Sequence, residues 1–320
     1  MTMTLYDNHI HILNEATTPP AIAAGRWRID EADMRLIMGA AKTLRAIDWP
    51  DEIDAAGAVV GAMVSFFPHL QRIRHLIALY FMDTAKQVRV IRRMLRENRV
   101  AGANVLVVPG TPAAGVRAVI EACAGTELRV FAPVEWAGER GVCGIKHYPS
   151  MAPRTSLDVV AAVACVHGLP VISHCSPAGA RSPDVSATRA SALNLPGRWL
   201  DAVRDRPVRL CLAHGGGAKW ARWVARPQHS AWALDYMTRE ACPPTEWEGR
   251  LWVDTAFHED QGSDLYRRAV QRAVAPWRVL WGSDWPLHLP LWSYEQACAW
   301  GRQYWGDQVQ AQREFAEGDA

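Results

Sequence analysis

Hydrophobic positions along this chain gather in short runs rich in branched and aromatic residues, each closed by polar residues, Gly or Pro. Eight such runs read as strands: 5–12, 104–108, 128–134, 144–148, 170–174, 208–214, 251–255 and 278–282. Between most of them the apolar spacing becomes helical. In Ser156 to His167 (SLDVVAAVACVH), for instance, Ser156 or Thr155 caps the first turn and Gly168 ends the last. Strand, helix, strand, repeated with Gly and Pro punctuation, predicts parallel βαβ units. Eight of them predict a closed (β/α)8 TIM barrel rather than an open sheet.

One region breaks this rhythm. Residues 29–98, between the first two strands, read as several helices without a strand, so a helical insertion is expected there within a single barrel domain spanning 1–320. At its end Arg89, Arg92 or Arg93, Arg96 and Arg99 recur at three-to-four spacing. That pattern reads first as a solvated helix face and second as a docking face for an acidic partner or another subunit.

Composition narrows the function classes. With 49% hydrophobic and 21% charged residues and a formal net charge of +2, the chain has no global field for nucleic acid or an anionic membrane. Small-molecule or peptide-like substrates are the expected partners, and a homo-oligomer is expected. The longest apolar run, Ala55 to Phe67, ends at Pro68, short of the roughly 20 residues a bilayer-spanning helix needs. The opening MTMTLYDNHIHI has no secretory leader pattern. The 7 cysteines are scattered, most of them in apolar runs, and fit a reduced, cytoplasmic setting.

Chemistry enters with Asp7-Asn8-His9-Ile10-His11. Residues two apart in a strand share a face, so both imidazoles can reach one ion. An H-x-H alone carries little weight. The case strengthens because His174 closes the apolar run 169–174, His214 closes 208–213, and Asp284 follows 279–283. In a parallel barrel the C-terminal strand ends converge on one mouth, which would bring His9, His11, His174, His214 and Asp284 together. Neutral imidazoles with a carboxylate suit a divalent ion, zinc first and Mn or Fe next. An open coordination position on such an ion brings the pKa of water towards ~7. Asp284 is then the candidate proton acceptor, and His214 the candidate acid or polarising group.

The ordered strings DNHIH (7–11), GIKHYP (144–149), ISHCSPAG (172–179), LAHGGG (212–217), WVDTAF (252–257) and LWGSDWP (280–286) resemble the amidohydrolase superfamily. The resemblance is closest to the amidohydrolase-related branch that also holds aminocarboxymuconate-semialdehyde decarboxylase. It implies a metal held by His9, His11, His174 and Asp284, with His214 either a ligand to a second ion or an acid/base beside the substrate. It also implies one or two ions per chain, decided by Lys146, which falls where binuclear relatives carry a carboxylated lysine; unmodified, Lys146 is a cation for a substrate carboxylate. Arg313 to Ala320 resembles the start of the family's closing helix, and the chain then stops, so the last helix is expected to be short or missing. The leading expectation is a hydrolase cleaving a C–N or C–O bond. The alternatives are a nonoxidative decarboxylase of an aromatic or unsaturated acid, and an inactive metal-binding barrel.

Substrate-binding candidates complete the reading. Tyr148 should face the barrel interior and His147 the helices. Arg181 is either a bidentate carboxylate clamp or a surface arginine. Trp136, Trp220 and Trp285 are candidate pocket walls, Asp254 a residue that orients its neighbours, and His258 and His288 rim residues.

Overall fold

Eight apolar runs that cannot bury both faces alone solve the problem by pairing side by side, in the order of the sequence. The computed structural model describes residues 4–19, 78–175, 180–214, 250–256, 278–287, 293–305 and 308–317. Its strands are β1 (Leu5–Ile10), β2 (Val100–Leu106), β3 (Leu128–Ala132), β4 (Val142–His147), β5 (Val171–His174), β6 (Leu210–Ala213), β7 (Leu251–Asp254) and β8 (Val279–Leu280). They form one parallel sheet in the order β1 to β8. The ends of the sheet meet: Asn8 N–H donates to the Trp281 carbonyl (2.8 Å), Asp284 N–H to the His9 carbonyl (2.7 Å) and His11 N–H to the Trp285 carbonyl (2.7 Å). The predicted (β/α)8 barrel is therefore the fold, and backbone donors that an open sheet would leave at its edges are satisfied across the seam.

Helices α1 (Thr84–Glu97), α2 (Ala113–Cys123), α3 (Leu157–His167), α4 (Ala187–Leu193) and α5 (Pro196–Val203) lie between strands, and α6 (Tyr294–Trp305) and α7 (Gln308–Glu317) follow β8. Helix α3 has the predicted limits. Ser156 Oγ accepts from Asp158 N–H at 3.2 Å, and Gly168 turns the chain out at φ 63°, a left-handed conformation that a Cβ disfavours. Between β3 and β4 the connection is only the 3-10 turn Val134–Trp136.

One expectation needs correction. The 29–98 insertion was drawn too long, because Thr84–Glu97 is a wall helix of the barrel: Val88, Ile91 and Leu95 are buried, and Asp83 caps its start by accepting from Lys86 N–H at 2.7 Å. Residues 29–77 of that expectation lie outside the described residues. On α1, Arg89, Arg93 and Arg96 are exposed and Arg92 is paired to Glu127 at 2.9 Å, an arrangement that a solvated face and a docking face share. The last helix, expected to be short or missing, is present and short, at 10 residues. Helix α7 turns under the barrel, where Phe315 stacks on Phe131 (6.2 Å, 9° between planes) and meets Trp252 edge-on at 5.3 Å.

The core has two layers. One lies between sheet and helices, and the other inside the barrel, where Leu106, Phe131, Ile172, Cys211, Ala213, Trp252 and Leu280 meet Ala311 and Phe315 of α7. Gly144 makes room for this plug, since a Cβ there would lie 2.1 Å from the Phe131 ring. Among the described residues no helix is long and apolar enough to cross a membrane.

Candidate metal centre

With its floor filled, the barrel leaves polar chemistry to the opposite end, where strands β1, β4, β5, β6, β7 and the turn after β8 bring buried titratable groups together. His9, His11, His174, His214 and Asp284 are all 9% exposed or less. The rings of His9 and His11 lie 5.2 Å apart, those of His9 and His214 5.0 Å, and those of His174 and His214 4.9 Å. Asp284 Oδ1 is 3.1 Å from His11 Nε2 and 3.5 Å from His9 Nε2. Donor atoms of His9, His214 and Asp284 all lie within 4.8 Å of one another. All five side chains singled out in the sequence thus meet at one mouth.

The outer atoms of the imidazoles fix what the inner ones can do. His9 Nδ1 lies 2.7 Å from Asp254 Oδ2, His11 Nδ1 2.8 Å from the Leu106 carbonyl, and His214 Nδ1 3.2 Å from the Ala256 carbonyl. Each of these oxygens only accepts, so each Nδ1 carries the hydrogen and the neutral ring turns an Nε2 lone pair inward. Burial lowers the His9 pKa to about 4 against the pull of Asp254, so this ring is neutral at pH 7. Burial also penalises the carboxylates of Asp254 and Asp284. For each, His9 leads the neighbours that outweigh the penalty and hold the carboxyl below its ordinary range. The result is a cluster of lone pairs facing one another in a buried space, and no hydrogen bond reaches Asp284 Oδ1. A cation at the centre resolves that frustration. Tetrahedral zinc with ligand distances of ~2.1 Å sets its ligand atoms about 3.4 Å apart, close to the 3.1 and 3.5 Å found around Asp284 Oδ1.

Two of these residues sit in strained backbone. His214 has φ 62° and Asp284 φ 57°, left-handed conformations that cost a non-glycine residue about 1–2 kcal/mol. Gly282 serves the same approach, since a Cβ there would lie 2.6 Å from His9 Cβ and push β8 away from β1.

The remaining candidates fall as follows. Lys146 is 1% exposed, and burial lowers its pKa against the pull of Asp254 and Asp284, which favours the neutral amine. Tyr148 stacks flat on His174 (3.8 Å, 13°), and His147 points the other way, edge-on to Trp199 of α5. Arg181, open in sequence between a clamp and a surface residue, is 4% exposed, so the surface reading fails. Its neighbour Ala180 packs on the Tyr148–Met151 cluster. Trp285, proposed as a pocket wall, is 1% exposed and belongs to the main core, bridged to β1 through Ile10. Trp136 lies under the Arg117 guanidinium, 5.5 Å away, and packs against the main core. Trp220, His258 and His288 lie outside the described residues.

Sequence reasoning gave Asp254 a modest part and missed Asp7. Asp254 Oδ1 accepts from His214 N–H (2.8 Å) and Ala256 N–H (3.1 Å), while Oδ2 takes His9 Nδ1. Asp7, fully buried, accepts four hydrogen bonds behind the site. The only cue to Asp7 was its place two residues before His9.

A parallel eight-stranded barrel with histidines and a carboxylate gathered at the C-terminal strand ends defines a metal-dependent barrel class. Residues 6–312 match the amidohydrolase family, and the chain belongs to it. No curated protein sequence matches the chain. Among solved structures, it is similar to a probable 2-pyrone-4,6-dicarboxylic acid hydrolase from Acinetobacter baumannii with citric acid bound (13% identity, 98% of this chain and 99% of that one, TM-score 0.54). It also resembles an amidohydrolase from Bifidobacterium longum subsp. infantis (14%, 99% and 100%, TM-score 0.54). A third is an amidohydrolase from Burkholderia multivorans with bound zinc (14%, 98% and 99%, TM-score 0.52). At such identities the likeness concerns the fold.

Proposed function

We propose that this protein is a metal-dependent hydrolase that uses water to cleave a C–N or C–O bond in a small-molecule or peptide-like substrate. The observation that carries the reading is the convergence of the His9, His11 and His214 rings, each with Nδ1 bonded outward, on the buried Asp284 Oδ1 that no hydrogen bond reaches. His9, His11 and Asp284, with one of the facing pair His174 and His214, would hold the ion, zinc first among the choices. When bound, the ion would act as a Lewis acid that makes water more acidic and polarises a carbonyl oxygen. Asp284, ionised at neutral pH, accepts the proton of the attacking water and returns it to the leaving group. The imidazole of the pair that does not serve as ligand faces the scissile bond and stabilises charge on its oxygen. Asp254 keeps the His9 ring in the tautomer that presents Nε2. Burial shifts Lys146 towards the neutral amine, the form that carbon dioxide carboxylates, and that modification would allow a second ion. The name of the Acinetobacter baumannii neighbour, a hydrolase, agrees with this class of reaction.

Nonoxidative decarboxylation is the second reading. It is favoured by the burial of Arg181 beside the Tyr148–Met151 cluster, where a guanidinium suits a substrate carboxylate. The test is metal analysis of the full chain after equilibration with zinc, together with His9→Ala and Asp284→Ala. At least one ion per chain is expected, with affinity at least tenfold weaker in both variants; a wild-type chain that retains no metal overturns the reading. A panel of lactones and amides against carboxylated aromatics, followed by product mass and released carbon dioxide, separates the two reactions.

A further inference from the structure

Two left-handed residues, Asp284 and His214, carry the centre, and something must hold them in a backbone conformation that costs a non-glycine residue about 1–2 kcal/mol. For His214 the brace is visible at once, because its N–H donates to Asp254 Oδ1 from the adjacent strand at 2.8 Å. For Asp284 the corresponding buried carboxylate is Asp7. Asp7 Oδ1 accepts from Ser283 N–H at 3.0 Å and from His9 N–H at 3.1 Å. Its Oδ2 accepts from Ser283 Oγ at 2.7 Å and from the Tyr294 hydroxyl of α6 at 2.9 Å. Ser283 Oγ in turn accepts from Trp285 N–H at 3.0 Å, while Asp284 N–H reaches the His9 carbonyl at 2.7 Å. The three successive N–H groups 283, 284 and 285 are thus tied down, two through Asp7 and one directly to β1.

Asp7 stands behind the site rather than in it. Its neighbours Tyr6 and Asn8 both bond Asn104 of β2, while Asp7 between them reaches Tyr294 in the helical layer. The register of β1 against β2 shifts between Asp7 and Ile10. We propose that Asp7 is a positioning residue: by gathering donors from β1, from the turn after β8 and from α6, it fixes the separation of His9 and Asp284 and keeps Asp284 turned to the ion. The inference rests on the metal-site reading above. An acceptor with about four lone-pair sites is the side chain that can satisfy four donors at once, and the loss of such outer partners of metal ligands costs 10–100-fold in metal affinity.

The experiment titrates cobalt(II) into the full chain and reads both the dissociation constant and the visible d–d spectrum, which reports ligand geometry. Asp7→Ala is expected to weaken cobalt binding 10–100-fold and to alter the spectrum. Asp7→Asn keeps one carbonyl oxygen for the two backbone donors and should recover most of that loss. Phe315→Ala, at the opposite end of the barrel, controls for general destabilisation and should leave affinity and spectrum unchanged. A dissociation constant for Asp7→Ala within threefold of wild type, or an equal loss in Phe315→Ala, overturns the proposal. Should Asp7→Ala not fold, Tyr294→Phe and Ser283→Ala carry the same test. Each is expected to weaken binding several-fold, and no change in either overturns it. A wild-type chain that takes up no cobalt overturns the metal reading itself, whereas tight binding in wild type and Asp7→Ala alike overturns only the role of Asp7.

Discussion

Single residues decide how closely the strands carrying the site can meet. Gly282 illustrates this: a Cβ would stand 2.6 Å from His9 Cβ and 3.4 Å from His9 N, both firmly placed atoms on β1. Gly282→Ala must therefore move the turn that bears Asp284. We expect at least a tenfold loss of metal affinity, with roughly 1–3 kcal/mol of destabilisation from overpacking, measured by metal titration and chemical denaturation; wild-type affinity would refute the close-approach argument. His9 and His11 were legible as an H-x-H pair on one face of the first strand, and His174, His214 and Asp284 because each follows or closes an apolar run, and strand ends of a parallel barrel have one place to go. Asp7 was not legible, since its role depends on donors from residues 283 and 294, far along the chain. The burial of Arg181 and Trp285 was equally hidden, because exposure of a residue after a strand depends on which loops pack over it.

Elements repeat the lesson with a different cause. The wall helix α3 was readable to the residue because local chemistry sets its ends, a serine cap and a left-handed glycine. The boundary of the inserted region was not, because the sequence of α1 reads as helical just as the sequence before it does, and only the packing of α1 on β2 marks it as part of the wall. Between a short helix α7 and none the sequence left the choice open, because the helix's reason to exist is tertiary: Phe315 fills the barrel floor beneath Phe131 and Trp252, in space that Gly144 leaves open. Phe315→Ala should cost about 3–5 kcal/mol, seen as a lower denaturation midpoint with metal content unchanged. A loss below 1 kcal/mol would mean that α7 is not a plug.

At the scale of the whole molecule, fold and ion are coupled through one fact: the site is built from lone pairs that the folded barrel forces together. In the unfolded chain the His9–His11 pair, His214 and Asp284 are far from one another and each side chain is solvated. Folding gathers them in a buried space where their inward atoms repel, and a cation bound only by the folded state would return that cost. Linkage then requires stability to rise with free metal, by ~2.7 kcal/mol at a hundredfold excess over the dissociation constant. For a chain of this size that amounts to several degrees in Tm, since 1 kcal/mol moves a 150–250-residue protein by about 2–4 °C. Stripping the protein with a chelator and titrating zinc back should therefore raise Tm steadily with the logarithm of free zinc. The same titration of His9→Ala should be nearly flat, while Phe315→Ala, lower throughout, should keep the wild-type slope, because its cavity lies at the other end of the barrel. A flat curve for the wild type would mean that the gathered side chains are stable without a cation, and the physical basis for assigning them to metal chemistry would be gone.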